Sequence, residues 1–257
     1  MRNNTLSTLI VRHGDNLLRR SGWPETVCVT QVAPGVVPGW LAVCGMLSAD
    51  EILDLTTHLC QSLNYGRAQL LTASAQRLAG TPVRLHLYPV QTYPHPATVR
   101  ECTEIRLPYA REWLTADEYA DLLAFLKASA DRVCEIVRQD AKRIAAALAP
   151  SGVPRLMEKR IGNWRLVADE YDHDNWLDEE DGDGLDKVLD AVLVRNARFC
   201  PVLLTLVNEP EEDIEGCGVM TDILRFPGEP VCRWLDRRVL RDVVNEARSI
   251  SQAASAK

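Results

Sequence analysis

The residues best suited to chemistry stand near the start of the chain, where the apolar run Thr8-Leu9-Ile10-Val11 ends in Arg12-His13-Gly14-Asp15-Asn16. A neutral imidazole can attack phosphorus and form a covalent intermediate when one ring nitrogen is free and the other is held by a hydrogen bond. An adjacent guanidinium such as Arg12 supplies a planar fork of donors that matches phosphoryl oxygens, and Gly14 lets backbone N–H groups approach closely. His173, between Asp172 and Asp174, could bind a divalent metal, but it lies in the acidic segment 169–186, which departs from calcium-loop spacing. A solvated loop is the default for such a run, so no metal is expected. His86 alternates with Arg84 and Tyr88 in a strand-like pattern and reads as a surface or packing histidine. The eight cysteines are scattered, with no C-x-x-C pair. They suit small buried hydrophobes in a reducing cytoplasm, not a disulfide framework or a zinc site.

Positioning Arg12 and His13 requires an element that ends beside them. Residues 8–11 read as a buried parallel strand delivering both to its carboxyl end, where open α/β sheets place ligand sites. Ser21-Gly22-Trp23-Pro24 stops the helix that follows, and 24–39 reads as a loop or hairpin. Ser48-Ala49-Asp50-Glu51 is a capping box opening a helix over 49–63, and Ala68 to Thr72 reads as a second strand. Residues 83–99 are extended and punctuated by proline. Thr115-Ala116-Asp117-Glu118 is a further capping box, opening a long helix that runs to Leu148 with a kink or split expected near 127–129. A helix over Leu185 to Val194, a third apolar strand over Cys200 to Val207 and a last helix within 230–251 complete the pattern. The expected fold is α/β: one domain over 1–257, a mainly parallel sheet with helices on both faces, 113–168 as a helical insertion or cap, and 226–257 as a C-terminal helix and tail.

At 257 residues with 46% hydrophobic content the chain can bury a full core. Its formal net charge of −7 argues against nucleic acid as the main partner. No run of 18 apolar residues and no apolar signal core occur, so no membrane association is expected and the location is read as cytoplasmic.

The landmarks recur in an order that resembles the histidine phosphatase superfamily, which includes the phosphoglycerate mutases. They are Arg12-His13-Gly14, Gly22-Trp23, Arg77 with Thr81, and Arg100-Glu101-Cys102-Thr103-Glu104-Ile105 before Leu114-Thr115. The resemblance implies His13 as nucleophile, and Arg12, Gly14, Asn16 and Arg77 as phosphate-binding groups. It also implies Glu104, with Glu101 as second choice, as proton donor to the leaving oxygen. Three departures stand out: the serine before Arg77 is one position out of register, Pro82 interrupts, and Asn208-Glu209-Pro210 occupies the place of the family's second histidine. An amide such as Asn208 donates neutral hydrogen bonds, weaker than charge-assisted ones. The implied activity is phosphomonoester hydrolysis through a phosphohistidine, on a phosphorylated small molecule or phosphoprotein, with no cofactor. Asn208 opens an alternative, a catalytically weakened pseudo-phosphatase that binds a phosphorylated ligand or a protein partner. A third reading makes the tripeptide accidental and gives binding to the 115–149 helix and the acidic segment.

Overall fold

The first segment folds as a helix, not a strand. In the computed structural model, α1 spans Arg2–Arg20 and places Arg12, His13, Gly14 and Asn16 in its interior. Thr5, Leu6, Leu9, Ile10, His13, Gly14 and Leu18 are buried, and their recurrence at steps of three and four is the stripe of one helix face. Gly14 belongs to that packing: a Cβ there would lie 2.6 Å from a methyl of Val29. The structure describes residues 2–31, 41–90, 103–152, 155–173, 177, 182–210 and 213–255. Glu101 and part of the acidic segment, 174–176 and 178–181, lie outside the described residues.

After α1 come β1 (Cys28–Gln31), β2 (Leu41–Ser48), α2 (Ala49–Cys60), α3 (Tyr65–Leu78), β3 (Arg84–Pro89), β4 (Thr103–Arg106) and α4 (Ala116–Leu148). The second half adds β5 (Arg155–Ile161), β6 (Trp164–Glu170), α5 (Gly182–Leu193), β7 (Val202–Asn208), β8 (Asp213–Met220) and α6 (Arg237–Ser255). The capping boxes form as read: Ser48 and Glu51 bond reciprocally at α2, and Thr115 and Glu118 do the same at α4. The expected second strand, Ala68 to Thr72, lies inside α3, which buries Leu71, Ser74, Ala75 and Leu78 on one side. The expected split of the long helix is absent; α4 is continuous over 33 residues. Residues 113–168 contain α4 together with β5 and the greater part of β6.

The expectation of a mainly parallel sheet is overturned. Two four-stranded sheets form, in the orders β1-β2-β3-β4 and β5-β6-β7-β8, and every pairing in them is antiparallel. Parallel neighbours need a long crossover to bring the chain back to the same end. Here the α2–α3 passage and α5 return the chain into antiparallel neighbours instead. The chain divides into two compact units, one of residues 10–142 and one of 1–9 with 143–257.

In the first unit the sheet alternates. Val29, Val43, Leu47, Leu85, Leu87, Thr103 and Ile105 are buried, while Cys28, Cys44, Met46, His86, Tyr88, Glu104 and Arg106 occupy the intervening positions and are at least partly accessible. In the second unit α6 lies on β7 and β8. Its core joins Leu166, Ala168, Val202, Leu204, Leu206 and Met220 to Val243 and Ala247. Gly216 and Gly218 admit the helix: a Cβ on Gly216 would stand 2.4 Å from the Val243 carbonyl oxygen, and one on Gly218 2.8 Å from a Val239 methyl. Both units share one order of elements, namely helix, two strands, a helical passage, two strands, helix, with the end of α4 opening the second round.

Candidate functional site: a cleft beside β3 and β4

The accessible side of β3 and β4 leads into a cleft of about 870 Å³ lined by His86, Tyr88, Glu104, Arg106, Leu107, Pro108 and Tyr119. Register builds it: His86 stands opposite Arg106, and Tyr88 opposite Glu104, so four polar side chains share one side of the ladder. Beyond β4 the chain turns through Tyr109, held in the left-handed region at φ 64°. A short 3₁₀ turn over Ala110–Glu112 follows before α4 begins and supplies Tyr119.

Arg106 ties the walls together. Its Nε donates to Glu104 Oε1 at 2.9 Å, and its Nη2 lies 2.8 Å from the same oxygen. Its guanidinium carbon sits 5.1 Å from the centre of the Tyr88 ring, a cation–π distance. Arg111 covers Tyr119 in the same way at 5.0 Å. The Tyr88 hydroxyl is enclosed yet has no hydrogen-bond partner. Desolvation raises its pKa, Arg106 opposes that shift, and the neighbouring Glu104 carboxylate adds to it without a well-formed hydrogen bond. Close by in sequence, Tyr109 and Trp113 are 75% and 47% exposed. On β2, Met46 stands opposite His86 and is also exposed.

The chain matches the N-terminal domain of YubG over residues 3–144 and the C-terminal domain of YubG over residues 154–257. It belongs to the YubG family. The resemblance to the histidine phosphatases is thereby corrected: the families matched are the two YubG domains, and no histidine phosphatase is among them. No solved structure matches the chain. The cleft lies wholly inside the N-terminal YubG domain.

Within the YubG domains the residues singled out from the sequence have separate partners. His13 Nε2 is 2.9 Å from Asp140 Oδ2, joining α1 to α4 in a largely buried pair. Arg12 lies near Asp15, whose carboxyl accepts a hydrogen bond from the Val29 N–H at 2.7 Å. Burial raises the Asp15 pKa, while the Val29 bond and the charges of Arg19 and Arg12 act against that shift. Asn16 is a further α1 residue. Arg77 pairs with Glu118 in the first turn of α4, and with the Thr115 cap it holds that carboxyl below its ordinary range. Asn208 belongs to the C-terminal YubG domain, where its amide donates to Glu215 at 2.9 Å. Of the predicted site residues that are described, only Glu104 lines the cleft. Tyr88, Arg106 and Tyr119 were missed, although the alternation of Leu85 and Leu87 with His86 and Tyr88 marks one wall.

Proposed function

We propose that this chain is a binding protein, and that the cleft of its N-terminal YubG domain takes a segment of a partner protein. The observation that carries this reading is a ligand-sized concavity walled by tyrosines and arginine, with the Arg106 guanidinium stacked over the Tyr88 ring. Tyr and Arg are the side chains that concentrate binding energy at protein interfaces, because each offers a large apolar surface together with a directed polar group. The Glu104–Arg106 pair leaves the cleft nearly neutral, which suits an uncharged or mixed segment better than a phosphate. Phosphomonoester hydrolysis drew its site roles from the corrected resemblance, whereas partner binding draws on the cleft itself. Among the described residues no helix is long and apolar enough to cross a membrane. Seven described cysteines are free, which suits work in a reducing compartment such as the cytoplasm.

The test is panning of a random peptide display library on the purified full chain, followed by affinity measurement on Arg106→Ala and Tyr119→Ala variants. Enriched peptides are expected to lose at least about tenfold in affinity on either variant, the size of a modest hot spot. Peptides that bind both variants as well as the wild type, or a library that yields no binder, would overturn the proposal.

A further inference from the structure

Cys28 and Cys44 face each other across the first sheet. They are register partners in the antiparallel pairing of β1 with β2, so their side chains project to the same side. The hydrogen-bond pattern fixes the kind of pair they make. The Val29 N–H points away from β2 to Asp15, and the Val43 N–H points away from β1 to Thr103 Oγ1 at 2.9 Å. Val29 and Val43 are therefore a non-hydrogen-bonded pair, which makes their neighbours Cys28 and Cys44 a hydrogen-bonded one. Such pairs have Cα atoms about 5.5 Å apart, inside the range that a disulfide spans. Both thiols are free; Cys28 is exposed and Cys44 partly so.

We propose that Cys28 and Cys44 form a redox modification site that closes to a cross-strand disulfide by exchange with a low-molecular-weight disulfide. Cys28, the accessible partner, attacks one sulfur of glutathione disulfide as its thiolate, releasing one glutathione thiolate and leaving Cys28 as a mixed disulfide. Cys44 gives up its proton and attacks the Cys28 sulfur, forming the S–S bond and expelling the second glutathione. Two protein thiols are oxidised by two electrons, and one glutathione disulfide is reduced to two thiols.

The surroundings favour a bond that forms slowly. Burial and the Asp15 carboxylate raise the Cys28 thiol, and burial with the neighbouring Cys28 pushes Cys44 up to about 11. Thiols that the protein does not stabilise as thiolates react sluggishly, and they give no special stability to the reduced form. The closed bond would join β1 covalently to β2 on the side of the sheet that also carries His86 and Tyr88.

The experiment incubates the full chain with glutathione disulfide at pH 8, blocks remaining thiols and maps the products by mass spectrometry. In the wild type, peptides containing Cys28 and Cys44 are expected as one linked pair without a retained glutathione. Cys44→Ser should stop at a glutathione adduct on Cys28, and Cys28→Ser should leave Cys44 free to be blocked. A wild-type chain that stops at the same Cys28 adduct overturns the proposal, as does linkage of Cys28 to a different cysteine or no reaction at either thiol. Because the readout on the wild type needs no variant to fold, the proposal stands or falls on that sample.

Discussion

Glu170 receives Arg225 in the second unit, Nη2 to Oε1 at 2.6 Å, with the carboxylate side chain only 1% exposed. Arg198 Nε reaches the same oxygen at 2.9 Å, and the other oxygen accepts from the Ser151 N–H and hydroxyl. These bonds outweigh the cost of burial and hold the Glu170 pKa at about 2, against an ordinary 4.5. The folded chain therefore keeps the group ionised over a range where the unfolded chain takes up a proton. Its contribution, about 3 kcal/mol at 1.36 kcal/mol per pH unit, is complete above pH 4.5 and lost as pH falls toward 2. Denaturant melts across that window should show this slope, and Glu170→Gln should flatten it. At neutral pH the same variant strands two arginines and should cost about 3–5 kcal/mol.

Tyr88→Phe separates stability from binding. Removing an enclosed hydroxyl that has no partner relieves a desolvation penalty, so the variant should melt at a higher temperature than the wild type. Because that hydroxyl is closed off from the cleft, peptides selected on the wild type should bind the more stable variant as well as they bind the wild type. Thermal melts and titrations on one preparation check both outcomes.

Gly216→Ala is expected to destabilise by about 1–3 kcal/mol, because the new methyl meets the Val243 carbonyl and α6 must shift. Gly66→Ala, in the first turn of α3 with open space around it, should leave stability unchanged or raise it by about 0.4–1 kcal/mol. Urea denaturation of the two variants side by side reads the difference.

His13→Ala tests what the imidazole does. Its partner is Asp140, so truncation should lower stability by about 1–3 kcal/mol through the loss of that bond. Asp140→Asn should cost less in the His13→Ala background than in the wild type, because part of its effect is the bond already lost. A double-mutant cycle on unfolding free energies gives the coupling directly.

The sequence was most legible where two signals agreed. At α2 and α4 a capping box precedes apolar residues at helical spacing, and both helices begin where those boxes stand. At α1 the run Leu9-Ile10-Val11 looks like a strand in a narrow window. The wider spacing of Leu6, Leu9, Ile10 and His13 shows the helix face, and packing over 19 residues prevails over local strand propensity. The apolar run that became β7 was found, but its direction was not, since burial on alternate residues is the same for parallel and antiparallel neighbours. Glu104 was singled out for a role in a different kind of site. The cleft it lines depends on β3–β4 register and on Tyr119 beyond the turn, relationships that no local pattern spells out.

The last strands of the two sheets differ at the positions that decide what can lie on them. β8 presents Gly216 and Gly218, and α6 settles against its backbone; β4 presents Glu104 and Arg106 at the mouth of a cleft. Side-chain volume at two alternate positions of one strand thus acts as a gate on tenancy. Hydrogen atoms there admit a helix of the same chain, and long polar side chains leave a cleft beside the strand.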